Sequence, residues 1–117
     1  MIMNLLTNGE KLRFLKLNSF LGGADEGLLM AIVEHASYVE FEKNTFIYSR
    51  KDRADNFYIL VEGQVGHPEV QAAEEQFSIA PTINVPGQLF GFAAIVQGMP
   101  ERIISAHCEK ATKALVI

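Results

Sequence analysis

The chain has a single cysteine, Cys108, among 117 residues, so no disulfide can form within it. Long apolar runs are missing as well: the longest, residues 28–33, is six residues, where a membrane-spanning helix needs about 20. After Met1 there is neither a basic region nor a small-residue cleavage site, so no secretory leader is expected. These absences together predict a cytoplasmic protein with no membrane partner. Basic clusters are scarce too, the densest being Arg50-Lys51 with Arg53, and 14 acidic residues against 10 basic ones leave a net charge of −4. A surface that neutralised nucleic-acid phosphates would need a basic face, which argues against nucleic-acid binding by this domain alone.

Catalytic and metal signatures are equally sparse. The three histidines, His35, His67 and His107, contain no His-x-His pair, so a metal-bearing β-roll enzyme is not expected. Ser49, Ser78 and Ser105 lack a flanking elbow motif, and Cys108 lacks a visibly electropositive setting. Glu69, Glu74 and Glu75 read as a solvated loop. Nothing in this set argues for an enzyme, and no cofactor is implied. His107 and Cys108 are neighbours on an expected strand and so face opposite sides of it, which prevents both from ligating one metal.

What is present suits one globular domain. At this length a chain buries roughly two-thirds of its unfolded surface, and an apolar share of 49% supplies the residues to do so without a staple. The first third is helical in pattern. Leu12 and Leu15, with Phe14 beside them, recur at helical spacing, and Asn18-Ser19 and Gly22-Gly23 interrupt them. Asp25 and Glu26 open a second helix, whose positive end they suit, and Leu28, Leu29, Ile32, Val33 and Ala36 then form an apolar stripe. From Tyr38 the period shortens to two. Residues 38–42 alternate, residues 45–48 are β-branched and aromatic, and residues 49–56 are a charged loop. Residues 57–61 form a strong apolar strand closed by Glu62-Gly63, and Gln64-Val65 resumes pairing. Further short strands are expected at 77–79, 82–85, 103–104 and 114–117, with a turn at Pro86-Gly87. Residues 66–76 show no clear pattern. Two helices followed by seven or eight short strands indicate a mainly-β barrel or jelly roll.

Four segments, in order, resemble the cyclic-nucleotide-binding domain family. FLKLNSFLGGADEGLLMAIVEHASYVEFEKNTFIY (residues 14–48) is similar to the family's helical lead-in and first hairpin. ADNFYILVEGQV (residues 54–65) is similar to its central strand and glycine turn. VPGQLFGF (residues 85–92) and AAIVQGMPERIISA (residues 93–106) are similar to its Pro-Gly turn and phosphate cassette. The resemblance implies a mainly-β fold, a β-roll or double-stranded β-helix of jelly-roll type with flanking N-terminal helices. It implies one domain over residues 1–117, with no hinge helix or effector domain following the roll. It also implies a pocket inside the roll for cAMP or cGMP.

By that resemblance the cassette positions are Gly91, Phe92, Ala93, Arg102 and Ile103. Gly91 lets backbone approach a ligand, Ala93 starts a short helix, and Arg102 matches the phosphate arginine at the spacing of the bacterial catabolite-activator branch. The family has glutamate where Phe92 stands and Ser or Thr where Ile103 stands. Gln88 replaces an acid common in the preceding turn, and Lys51 replaces a common loop glycine. Loss of a charged acceptor for a ribose hydroxyl removes about 1.5–3 kcal/mol, with a comparable penalty if that hydroxyl is buried unpaired. Two readings of Arg102 therefore stand: an anchor for a small anionic ligand, or a loop arginine paired to Glu101 or Glu109. Gly91 reads either as a ligand contact or as a tight turn, and Phe92 as an aromatic filling the vacated pocket. At the level of the whole chain the alternatives are a regulatory ligand-sensing module and a degenerate domain that binds no nucleotide. The latter would serve as an interaction or dimerisation scaffold. A homodimer or an effector-domain partner fits either.

Overall fold

A computed structural model describes residues 6–69, 82–95 and 98–117. Helix α1 (Asn8–Leu17) begins with a capping box: the Thr7 hydroxyl accepts from the Glu10 amide, and the Glu10 carboxylate accepts from the Thr7 amide. Asn18 ends it, its side-chain oxygen accepting from the amides of Phe20 and Leu21. Helix α2 (Glu26–His35) is capped by Asp25, as its sequence suggests. The buried face of α2 is Leu29 and Val33, with Ala36 just beyond its end. Leu28, expected in the same stripe, is more than half exposed. It stands about 100° round the helix from Leu29, on the side turned away from the buried face.

Seven strands follow among the described residues: β1 (Ser37–Phe41), β2 (Phe46–Tyr48), β3 (Tyr58–Glu62), β4 (Val65–Gly66), β5 (Leu89–Phe90), β6 (Ala106–Cys108) and β7 (Thr112–Val116). They form two antiparallel sheets, one ordered β1-β7-β3-β5 and the other β2-β6-β4. A short 3-10 turn, Phe92–Ile95, follows β5. This is the β-roll with N-terminal helices that the sequence implied.

Strands β3 and β7 read as nearly continuous apolar runs because both their faces are covered. Tyr58, Leu60 and Ala114 point into the roll, where they meet Tyr48, Val65, Ile83, Phe90 and Ala106. Ile59 and Leu115 point the other way, against Leu15, Leu29 and Val33 of the helices. Lys11 is buried in the helical layer and donates through Nζ to the Ala36 carbonyl at 2.8 Å, so its charge ends on a polar partner.

Two strand expectations are corrected. Over residues 82–85 only Ile83 pairs, in an isolated bridge to Val65, because the Gln88 side chain accepts from the amides of Asn84 and Val85 and holds them in a turn. Ile103-Ile104 is not a strand: Arg102 is tied by its backbone to the 49–55 loop, and regular pairing begins only at Ala106. The strand expected at 77–79 lies outside the described residues.

Gly63 closes the turn after β3 at φ +122°, and a Cβ there would come within 2.7 Å of the Ala111 carbonyl and Thr112. Both the left-handed backbone and the contact exclude a side chain. Gly63→Ala is expected to lower stability by about 2 kcal/mol or more, a fall of roughly 10 °C in Tm. A thermal melt of the variant checks this.

A cavity built around a buried arginine

One end of the roll holds a cavity of about 300 Å³ lined by, among others, Tyr48, His67, Ile83, Gln88, Met99 and Arg102. Of the resemblance-derived residues, Gly91, Ala93, Arg102 and Ile103 reach its wall. Ala93 lies in the 3-10 turn and is buried, whereas Ile103 stands at the mouth and is 56% exposed. Phe92 opens the 3-10 turn, but its side chain, and with it the expectation that it fills the cavity, lies outside the described residues.

Arg102 is placed by backbone before its side chain does anything. Its amide donates to the Asp52 carbonyl, and its own carbonyl accepts from the Lys51 amide, each at 2.8 Å. Ala54 adds a bond to the Pro100 carbonyl, so the charged loop is zipped along residues 100–102. Lys51, standing where the family commonly has glycine, keeps the left-handed backbone at φ +79°. A lysine there carries a strain of order 1 kcal/mol that the paired loop holds in place.

The Arg102 side chain is 4% exposed. Nη1 donates to the Gly91 carbonyl at 2.8 Å and Nη2 to the Asn56 carbonyl at 2.6 Å, while the guanidinium lies 4.1 Å from the centroid of the Tyr48 ring. Tyr48 in turn approaches Tyr58, which stacks on Phe90 at 5.1 Å. The pairing with Glu101 or Glu109 does not form; the terminal nitrogens go to two backbone carbonyls instead. Among the described residues no carboxylate lies within ion-pair distance of Arg102, and its Nε is buried without a hydrogen-bond partner. A cation–π contact out of water offsets about 2 kcal/mol. The orphaned N–H still costs about 1–3 kcal/mol, and among the described residues the charge has no counterion.

Gly91 serves this arrangement directly. Its φ is +78°, and a Cβ would come within 3.1 Å of both Arg102 Nη1 and the Tyr58 ring. Its carbonyl also accepts from the Ala94 amide, opening the 3-10 turn. Burial pushes the Tyr48 hydroxyl up to about 12, against the opposing pull of Arg102, so it stays protonated at neutral pH.

His67 was missed by sequence reasoning because it lies in a segment with no period. It is 6% exposed and lines the same cavity, with Nδ1 2.8 Å from the Ser105 carbonyl. Ser105 is the hub behind it. Its amide and hydroxyl both donate to the Glu69 carboxylate, at 2.8 and 2.6 Å, and its hydroxyl accepts from the Arg50 amide. Glu69, expected in a solvated loop, is thus clasped. Burial alone would raise its carboxyl, but the bonds from the Ser105 hydroxyl and amide, aided by the Arg50 charge, hold it below the usual range. His107 takes no part in the cavity: its ring lies 4.7 Å from Phe46 while Cys108 is buried on the opposite face. Among the described residues no group of three or more His, Cys, Asp or Glu could hold a metal. None of their helices is long and apolar enough to cross a membrane.

With the roll and its cavity defined, comparison with known proteins places the chain. Residues 38–117 match the sequence profile of the family described as the cyclic nucleotide-binding domain, and the chain belongs to that family. A search of curated proteins by sequence found no match. Among solved structures, a Geobacter metallireducens protein provisionally named as cyclic nucleotide-binding superposes with a TM-score of 0.72 at 22% identity, covering 100% of this chain and 76% of that one. The sensor domain of the transcriptional regulator DNR from Pseudomonas aeruginosa gives 0.71 at 16% identity, over 90% and 72% of the two chains. The regulatory domain of Toxoplasma gondii PKA, solved with cAMP, gives 0.77 at 17% identity, over 94% of this chain and 41% of that one. At these identities the likeness is one of fold.

The Ser105 clasp makes a measurable prediction. Ser105→Ala removes the hydroxyl bonds to Glu69 and Arg50 and should cost about 1–3 kcal/mol at neutral pH. Because Glu69 is depressed in the folded state, its contribution is present above the unfolded carboxyl value and is lost as pH falls through the folded one. Urea unfolding of wild type and variant should therefore differ most near pH 7 and converge in acid.

Proposed function

We propose that this domain is a regulatory ligand-sensing module whose cavity takes a small anionic ligand at Arg102. The observation that carries this is a guanidinium 4% exposed, without a carboxylate partner among the described residues and with its Nε unpaired, in the wall of a cavity of about 300 Å³. An anion entering there would give the guanidinium a counterion. Family membership makes cAMP and cGMP the first ligands to test. Gly91 and Ala93 would lie against the ligand by virtue of their place in the wall, with Phe92 and Ile103 as the departures from the family's pattern. A cytoplasmic setting and an effector domain or second copy as output partner fit this reading, and it calls for no catalytic step.

A second reading rests on a different fact about the same side chain. Both terminal nitrogens of Arg102 already hold backbone carbonyls. An arginine so engaged can serve the fold alone, and the domain would then be an interaction or dimerisation scaffold.

Thermal melts with millimolar cAMP, cGMP and other nucleotides separate the two. A ligand at about 100 times its Kd adds roughly 2.7 kcal/mol, a rise of about 10 °C or more for a domain of this size. The sensor reading expects such a rise in the wild type and none in Arg102→Ala, each measured against its own ligand-free melt. No rise with any nucleotide in a well-folded sample favours the scaffold.

A further inference from the structure

The polar groups in the cavity wall are unevenly committed. The Asn18 side-chain oxygen already accepts from the amides of Phe20 and Leu21, and its Nδ2 donates to the Gly87 carbonyl. The Gln88 oxygen accepts from the amides of Asn84 and Val85. Each of these oxygens has two lone pairs, so both are fully used. No aspartate or glutamate lines the cavity among the described residues. What remains is a donor-rich end, the Arg102 guanidinium over the ring of Tyr48, whose hydroxyl is protonated, and the imidazole of His67.

The state of that imidazole is fixed from behind. A carbonyl can only accept, so the 2.8 Å contact to Ser105 requires the proton on Nδ1. In the neutral ring Nε2 is then a bare acceptor. Ser105 cannot turn away to release it, because its amide and hydroxyl are held by Glu69 and its hydroxyl also accepts from the Arg50 amide. His67 belongs to the cavity wall and Ser105, behind it, does not. With the ring neutral, Nε2 is a side-chain acceptor of the wall for which no hydrogen-bond partner is found among the described residues.

We propose that His67 is a specificity-determining residue of this cavity, its Nε2 selecting anionic ligands that carry an N–H or O–H donor on the part of the molecule away from the anion. This rests on the anion-binding reading of Arg102 and adds to it a second polar anchor of opposite kind. The ligand class is a small organic anion with an apolar ring or body, matching Ile83, Leu89, Met99 and Ile104 in the wall, and one donor. An amino-bearing cyclic purine nucleotide and a hydroxylated aromatic carboxylate both have this chemistry. A buried acceptor left empty discriminates strongly against analogues that lack the donor.

The test uses two pairs of probes with the full chain: cAMP against the cyclic phosphate of purine riboside, which lacks the amine, and 4-hydroxybenzoate against benzoate. Binding is measured by calorimetry on wild type, Arg102→Ala and His67→Asn. The asparagine amide can keep a donor near the Nδ1 position for the Ser105 carbonyl while removing Nε2; its melt reports whether the fold is kept, and His67→Phe serves if it is not. The donor-bearing member of at least one pair should bind the wild type tenfold or more tighter than its partner. In the His67 variant that ratio should fall to near one, with the donor-less member little changed, and Arg102→Ala should lose both members. Which pair responds decides between the nucleotide and the carboxylate. A ratio unchanged in the His67 variant, with binding still dependent on Arg102, overturns the role of His67 and leaves the sensor reading standing. No binding of any probe overturns both. Independently of ligand, a ¹⁵N spectrum showing the His67 proton on Nε2 in the free protein would sink the proposal.

Discussion

A buried guanidinium with no ion-pair partner among the described residues is the constraint around which this end of the roll is organised. Taking Arg102 out of water costs several kcal/mol unless the protein supplies other partners. The chain supplies three: the Asn56 carbonyl ahead of β3, the Gly91 carbonyl after β5, and the face of Tyr48 at the end of β2. Segments distant in sequence converge because one side chain needs them all. The left-handed backbone at Gly91 and the zipped 49–55 loop both follow from that need. The unpaired Nε shows that the protein's own groups stop one short of satisfying it.

The rest of the fold holds that arrangement rigid. Strands β3 and β7 carry apolar side chains on both faces, so the sheet is pinned between the helical layer and the interior of the roll. Asn18 joins the helical layer to the Pro86-Gly87 turn by donating to the Gly87 carbonyl, and thereby sets where β5 begins. Gly91 sits directly after that strand, so the helices reach the cavity through backbone geometry although Asn18 alone of their neighbourhood lines it.

The fold was legible wherever sequence carried a period or a cap. Asp25 and Glu26 mark a helix start, residues 38–42 alternate, and residues 57–61 read as a strong apolar strand. Those signals are local, and the structure honours them. The helical stripe was over-read at Leu28 because an apolar residue beside Leu29 looks the same in sequence whether or not it faces the sheet. Ile103-Ile104 has strand composition, but the loop that grips Arg102 overrides propensity there. Of the site, Gly91 and Arg102 could be named from the order of motifs. His67 could not, since its role depends on the Ser105 carbonyl, 38 residues away in sequence. That Arg102 bonds backbone carbonyls and not Glu101 or Glu109 was likewise beyond sequence, because carbonyl direction is set only once the chain has folded.

The bond from Arg102 to the Asn56 carbonyl has a mechanical side. Asn56 precedes Phe57, which exchanges two backbone hydrogen bonds with Ile117, immediately beyond β7. An anion that drew Nη2 toward itself would compete with that carbonyl for the same hydrogens, and the residue that gives way is the immediate neighbour of the tether. Occupancy of the cavity and the hold of Phe57 on Ile117 would therefore meet at Asn56. Any coupling between them runs equally in both directions: whatever steadies the Phe57–Ile117 pair also changes how freely Arg102 can turn to a ligand.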